Sequence, residues 1–202
     1  MRRPLAAAAA LITIGTVACG DDGPRSSPAI VAVRVSGCEL RDELATGIVV
    51  ADGLVLTVAH VLDGRKRVSV DGTAGSVVAV DERIDAALIT ADVRGPAVRF
   101  DVLARPGPVT ITGNAASVTR VIDADVEPRG GGEPVRRRAL VLDVPVRRGD
   151  SGAAVVGADG AVRGMVFAVS TGQDSTSYAV DAGELVAFVS ADRPVTPPPL
   201  GC

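Results

Sequence analysis

Thr46-Gly-Ile-Val-Val-Ala-Asp52-Gly53-Leu-Val-Leu-Thr-Val-Ala-His60 sets two short, β-branched apolar runs on either side of an Asp-Gly step. Runs of that length, split by a dipeptide that readily takes positive φ, predict a β-hairpin: strands over Thr46–Val50 and Leu54–Val58, turned at Asp52-Gly53. The pattern repeats outward. Ala29–Val35, Arg67–Val70, Ser76–Val80 and Ala86–Thr90 read as strands, with Asp71-Gly72 as a second hairpin turn. A further set follows at Val109–Thr112, Ala115–Val126, Val135–Val144, Ala153–Val156, Val162–Val169 and Ser177–Val180, with a turn at Asp159-Gly160.

Helical periodicity is nearly absent before Ala182–Ser190, so the chain is expected to be all-β, two small barrels or sheets followed by a short C-terminal helix. The Gly-Pro, Arg-Pro and Gly-Pro steps within Arg94–Pro108 make that stretch the expected linker, and the prolines of Arg193–Leu200 predict an extended tail. Three consecutive glycines within Arg129–Glu133 read as a hairpin tip, without the strand-to-helix setting of a phosphate loop. Residues 1–19 read as a signal peptide, 20–28 as a tether, 29–100 as an N-terminal unit and 101–202 as a C-terminal one.

With 202 residues, 47% of them hydrophobic, the chain is long enough to bury a full core. A formal net charge of -3 argues against a nucleic-acid partner, which calls for a concentrated basic face. The one dense basic run, Arg136-Arg137-Arg138, reads as solvated charges on a loop or edge strand. A single histidine and three unclustered cysteines leave no zinc site, and no cofactor is expected.

Arg2 and Arg3 precede an uncharged stretch from Leu5 to Ala18, too short to span a bilayer and ending on small residues, as a secretory signal does. Thr16-Val17-Ala18-Cys19 resembles a bacterial lipobox, which makes Cys19 the expected lipidation site and the cell membrane the expected location; the alternative is a Cys19 discarded with the signal, or paired. Export favours a disulfide between Cys38 and Cys202 over two free thiols. In the chain-entropy model a loop that long is worth about 4 to 5 kcal/mol, which native strain reduces.

His60 follows Leu-Thr-Val-Ala, Asp85 stands in Ile-Asp-Ala-Ala-Leu-Ile, and Ser151 lies in Gly149-Asp150-Ser151-Gly152. His, Asp, Ser is one of the chain orders in which a catalytic triad is built. A serine hydroxyl is a weak nucleophile until a base takes its proton, and His60 is the only imidazole available. Asp85 is the expected orienting acid, with Asp81 a competitor four residues earlier in a less strand-like setting. The backbone N–H groups of Gly149 and Ser151 are the expected oxyanion donors.

These segments resemble the trypsin/chymotrypsin-like serine proteases of bacterial type, over roughly Val31 to Val189. Thr57-Val58-Ala59-His60, Asp85-Ala86-Ala87-Leu88 and Gly149-Asp150-Ser151-Gly152 carry the likeness, and Val162–Val169 resembles the family strand that lines the substrate cleft. The cysteine placement and the tether resemble membrane-linked actinobacterial members. The resemblance implies two six-stranded β-barrels with the active site between them, and a serine endopeptidase acting on protein or peptide substrates, expected as a monomer. The nucleophile loop departs from the family at Ala153 and Ala154, where Gly and Pro are usual.

The base of the family's primary pocket falls on Pro145, between Val144 and Val146, where no acid stands. With Phe167, Ala168 and Val169 on the cleft strand, this predicts an apolar pocket suited to small or medium side chains rather than Lys or Arg. Asp150 is expected to find an arginine or no partner. The competing reading is a pseudoprotease that keeps the cleft to bind a cell-envelope partner.

Overall fold

The Asp52-Gly53 step joins β2 (Leu40–Ala51) to β3 (Leu54–Thr57), with Ala51 facing Leu54 and a bulge between Val49 and Ala51. The structure, a computed structural model, describes residues 27–37, 40–63, 67–126, 133–169 and 175–191. Around that hairpin stand β1 (Ile30–Gly37), β4 (Arg67–Val70), β5 (Thr73–Asp81) and β6 (Ala86–Thr90), in the closed order β1-β2-β3-β6-β5-β4. β1 alternates strictly, with Val31, Val33 and Val35 inside, and its pairing with β4 closes the barrel. Asp71 and Gly72, at φ 47 and 83, make the tight turn between β4 and β5 that an Asp-Gly pair favours.

The second barrel runs β10-β11-β12-β9-β8-β7. Its strands are β7 (Gly107–Ile111), β8 (Asn114–Val126), β9 (Val135–Leu142), β10 (Ala154–Val156), β11 (Val162–Val169) and β12 (Ser177–Asp181). β7 pairs with β10 to close it. β8 and β9 form a ribbon longer than the barrel needs: β12 pairs with β9 only over Ala139–Leu142, so Val135–Arg138 extends beyond it with β8 alongside.

The barrels share a core. Ala154, Val162, Met165 and Val180 of the second pack into one buried cluster with the interior of the first. Helix α1 (Ala182–Val189) adds Leu185 and Phe188 to it, each worth about 1.5 to 3 kcal/mol of burial. Asp181 caps the helix by accepting from the Gly183 N–H at 2.9 Å. The helix touches β11 and β12, and also β6, so it braces the two barrels rather than capping the second alone. Ala86 to Ile89 are buried consecutively because β6 faces its own barrel on one side and its surroundings on the other.

Between β6 and β7 the chain crosses from barrel to barrel. Phe100 pairs with Val162, and the Arg163 guanidinium bonds the Asp101 carboxylate and, at 2.9 Å, Asp159. Arg99 reaches Asp159 at 2.7 Å, and this bond holds the Asp159 carboxyl below the usual carboxylate range.

Candidate active site

His60 opens a 3-10 turn (His60–Leu62) directly after β3, and Asp85 ends the turn between β5 and β6, the strand beside β3. Asp85 sits at φ 55, a left-handed conformation that Asp tolerates better than a branched residue does. That backbone aims its carboxylate back at β3. One oxygen accepts from the His60 main-chain N–H at 2.8 Å and the other meets ring Nδ1 at 2.7 Å, while the Asp85 carbonyl takes the Ala59 N–H at 3.2 Å. An ionised carboxylate only accepts, so Nδ1 carries the proton and Nε2 is left with its lone pair as a base. Asp81 is otherwise engaged, accepting from Arg83 Nη2 at 3.1 Å and from the Arg83 main chain at 3.0 Å.

Ser151 lies on the second barrel, and β2 of the first barrel holds its loop. The Thr46 N–H donates to the Ser151 carbonyl at 2.8 Å, the Thr46 hydroxyl donates to the Gly149 carbonyl at 2.7 Å, and the Thr57 hydroxyl donates to the Thr46 carbonyl at 2.8 Å. Thr57 is three residues before His60, so this chain of bonds runs from the histidine's own strand to the serine's loop. From the other side the Gly152 N–H donates to the Val166 carbonyl at 2.8 Å. Gly152 is indispensable here: at φ 91, a Cβ would fall 1.9 Å from the Thr46 carbonyl oxygen.

Asp150 accepts from the Arg147 N–H at 2.7 Å and returns its own N–H to the Arg147 carbonyl at 3.0 Å, so its arginine partner is a main chain and not a guanidinium. Gly149 has φ 98. Among the described residues, the Gly149 and Ser151 N–H groups bond no carbonyl or side chain, and the Ser151 hydroxyl is likewise free. Two unengaged amides beside a half-buried hydroxyl are what an oxyanion site needs.

Pro145 is exposed, with Val144 and Val146 packed on the second-barrel core and the Val144 carbonyl accepting from buried Ser177 at 2.8 Å. Phe167 is half-buried on β11. Ala168 and Val169 pair with Tyr178 and Ser177, while the reading of their side chains as pocket lining falls outside the described residues. The same is true of the calls on Cys19, Cys38 and Cys202.

The arginine run corrects the reading from sequence. Arg136 is exposed, but Arg138 bonds Asp181 at 3.3 Å, and Arg137 is only 3% exposed. Arg137 stacks over the Phe167 ring at 4.1 Å and donates to the Arg83 carbonyl at 3.2 Å. The run stands on the β8–β9 ribbon, which lies over the turn that carries Asp85, so alternate residues face inward. Thr46 and Arg137 bond to segments of the site and stand outside its motifs. Neither has a local sequence signal, since Thr46 reads as the start of an ordinary strand.

A family model described as the trypsin-like peptidase domain matches residues 45–165. The serine protease Rv3671c of Mycobacterium tuberculosis is 27% identical over 191 residues, covering 84% of this chain and 48% of that protein. Serine protease HTRA1 of Xenopus laevis is 30% identical over 162 residues, covering 71% of this chain and 34% of its own length. The chain thus spans about half, or less, of the curated relatives it matches. Among solved structures, the active form of the Mycobacterium tuberculosis Rv3671c protease superposes with a TM-score of 0.74 at 26% identity, over 87% of this chain and 86% of that one. An inactive form superposes with 0.66 at 25% identity, over 80% and 89%.

Proposed function

The chain belongs to the trypsin-like peptidase family, and on that premise we propose that it is an exported serine endopeptidase working through an acyl-enzyme. The observation that carries this reading is the grip of both Asp85 oxygens on His60, with the Gly149-Ser151 loop tied to the neighbouring strand by Thr46. In the reaction the Ser151 oxygen attacks the scissile carbonyl carbon as its proton passes to His60 Nε2. Asp85 stabilises the imidazolium, and the Gly149 and Ser151 N–H groups receive the oxyanion. Collapse breaks the C–N bond, and the same proton leaves on the amine. Water then repeats the sequence on the ester, releasing the acid and restoring Ser151. The chemistry needs no cofactor.

The cleft favours a small or medium apolar side chain before the scissile bond, because no acid stands at Pro145 to meet a cation. The proposal extends to the lipid anchor at Cys19 and the Cys38–Cys202 bridge, which suit an envelope protein that works as a monomer outside the cytosol. A fluorophosphonate probe tests the activity: wild type takes one label, at Ser151, while Ser151→Ala takes none at an unchanged melting temperature. A folded wild type that is never labelled contradicts the reading and favours a binding role for the cleft.

A further inference from the structure

Arg137 is a buried cation that the reaction as described does not use. Its guanidinium is sealed by the Phe167 ring on one side, its Nη1 meets the Arg83 carbonyl, and its Nε–H, also buried, has no partner among the described residues. Burying a guanidinium without a direct ion pair is costly, and such a group persists only where something nearby compensates it. Burial lowers its proton affinity, and the field of Asp85, followed by that of Glu184, opposes this. The counter-charge of this cation is therefore in part the carboxylate that holds His60.

We infer that Arg137 is a positioning residue for the Asp85–His60 pair: from the second barrel its planar fork pins the turn that carries Asp85. The bond reaches Arg83, two residues before Asp85 and in the same turn, so losing it frees the backbone that sets the carboxylate's aim.

The inference rests on the proposed triad chemistry, and its test separates the two. The rate of fluorophosphonate labelling at Ser151, and kcat and KM for a peptide with an apolar residue before the scissile bond, are measured for wild type, Arg137→Met and Arg137→Lys, with circular dichroism and melting temperature on each. Methionine keeps an apolar stem against Phe167 but loses the charge and the donor, whereas lysine keeps the charge and loses the fork. Arg137→Met should label about 10- to 100-fold more slowly at neutral pH, as expected for a reacting group displaced by less than an ångström or so. Its kcat should fall by a similar factor with KM within about twofold. Arg137→Lys should be slower than wild type as well. A folded Arg137→Met with a labelling rate within about twofold of wild type, or with its loss confined to KM, overturns the inference. If Arg137→Met does not fold, Arg137→Lys decides: a wild-type rate overturns it. Failure of wild type to label at Ser151 strikes the proposed function instead.

Discussion

The hydroxyl of Thr46, on β2 of the first barrel, donates at 2.7 Å to the carbonyl of Gly149, on the nucleophile loop of the second. The residues are 103 positions apart, and their contact joins the barrels beside the amides proposed to receive the oxyanion. Fixing that carbonyl fixes the rotation of Gly149, whose φ of 98 leaves it otherwise free to swing.

Thr46→Val should therefore lower kcat about 10- to 100-fold with KM within about twofold, because the lost bond orients groups that matter most in the transition state. Thr46→Ser keeps the hydroxyl and should recover most of the loss. Steady-state cleavage of a fluorogenic peptide with an apolar residue before the scissile bond measures both. Equal activity in the Val and Ser variants would remove the hydroxyl from the account.

Asp85→Asn should keep the fold, since Asn tolerates the left-handed backbone at φ 55 as Asp does. An amide no longer selects the Nδ1–H tautomer, and the loss in kcat should approach about 10,000-fold. Asp81→Asn removes an acid bonded to Arg83 and should change kcat by no more than about threefold. Comparable losses in the two variants would show that the orienting acid is misassigned.

Gly152→Ala should be among the most damaging single changes, because the added Cβ meets the Thr46 carbonyl oxygen at 1.9 Å in a backbone conformation that alanine resists. A loss above about 3 kcal/mol is expected in chemical denaturation. A variant as stable as wild type would mean that the loop packs differently.

The stitch at Asp159 should make stability sensitive to acid. Its carboxyl is held down chiefly by the bond from Arg99, so its contribution is complete above the ordinary aspartate range, about 3.9, and is lost as pH falls through the lower folded value. Asp159→Asn should melt below wild type at neutral pH, and the gap should close as pH falls below about 4. A gap independent of pH would assign the effect to packing.

Much of this molecule is legible locally. The β-branched runs and Asp-Gly turns mark β4, β6 and β11 to the residue, because alternation and turn chemistry are short-range properties. The start of β2 has no such mark: Arg41 and Asp42 are polar and Leu44 is exposed, so no buried alternation shows, yet main-chain pairing with β1 keeps the segment in the sheet. The closures of β1 on β4 and of β7 on β10 leave no local trace either.

The site divides along the same line. His60, Asp85 and the Gly149–Gly152 run stand in recognisable local settings. Thr46 and Arg137 make their bonds across the barrel boundary, to partners that only the fold brings near. An arginine run is ordinarily solvated, and what buries Arg137 is the overhang of the β8–β9 ribbon on the Asp85 turn.

The most direct test of the central claim is a crystal structure of the wild-type protein soaked with a peptidyl boronate. The account predicts a bond from Ser151 Oγ to boron, with one boronate oxygen within hydrogen-bond distance of the Gly149 and Ser151 N–H groups and His60 still held by Asp85. A boronate bound without a bond to Ser151, or with both oxygens turned away from those two amides, would contradict it.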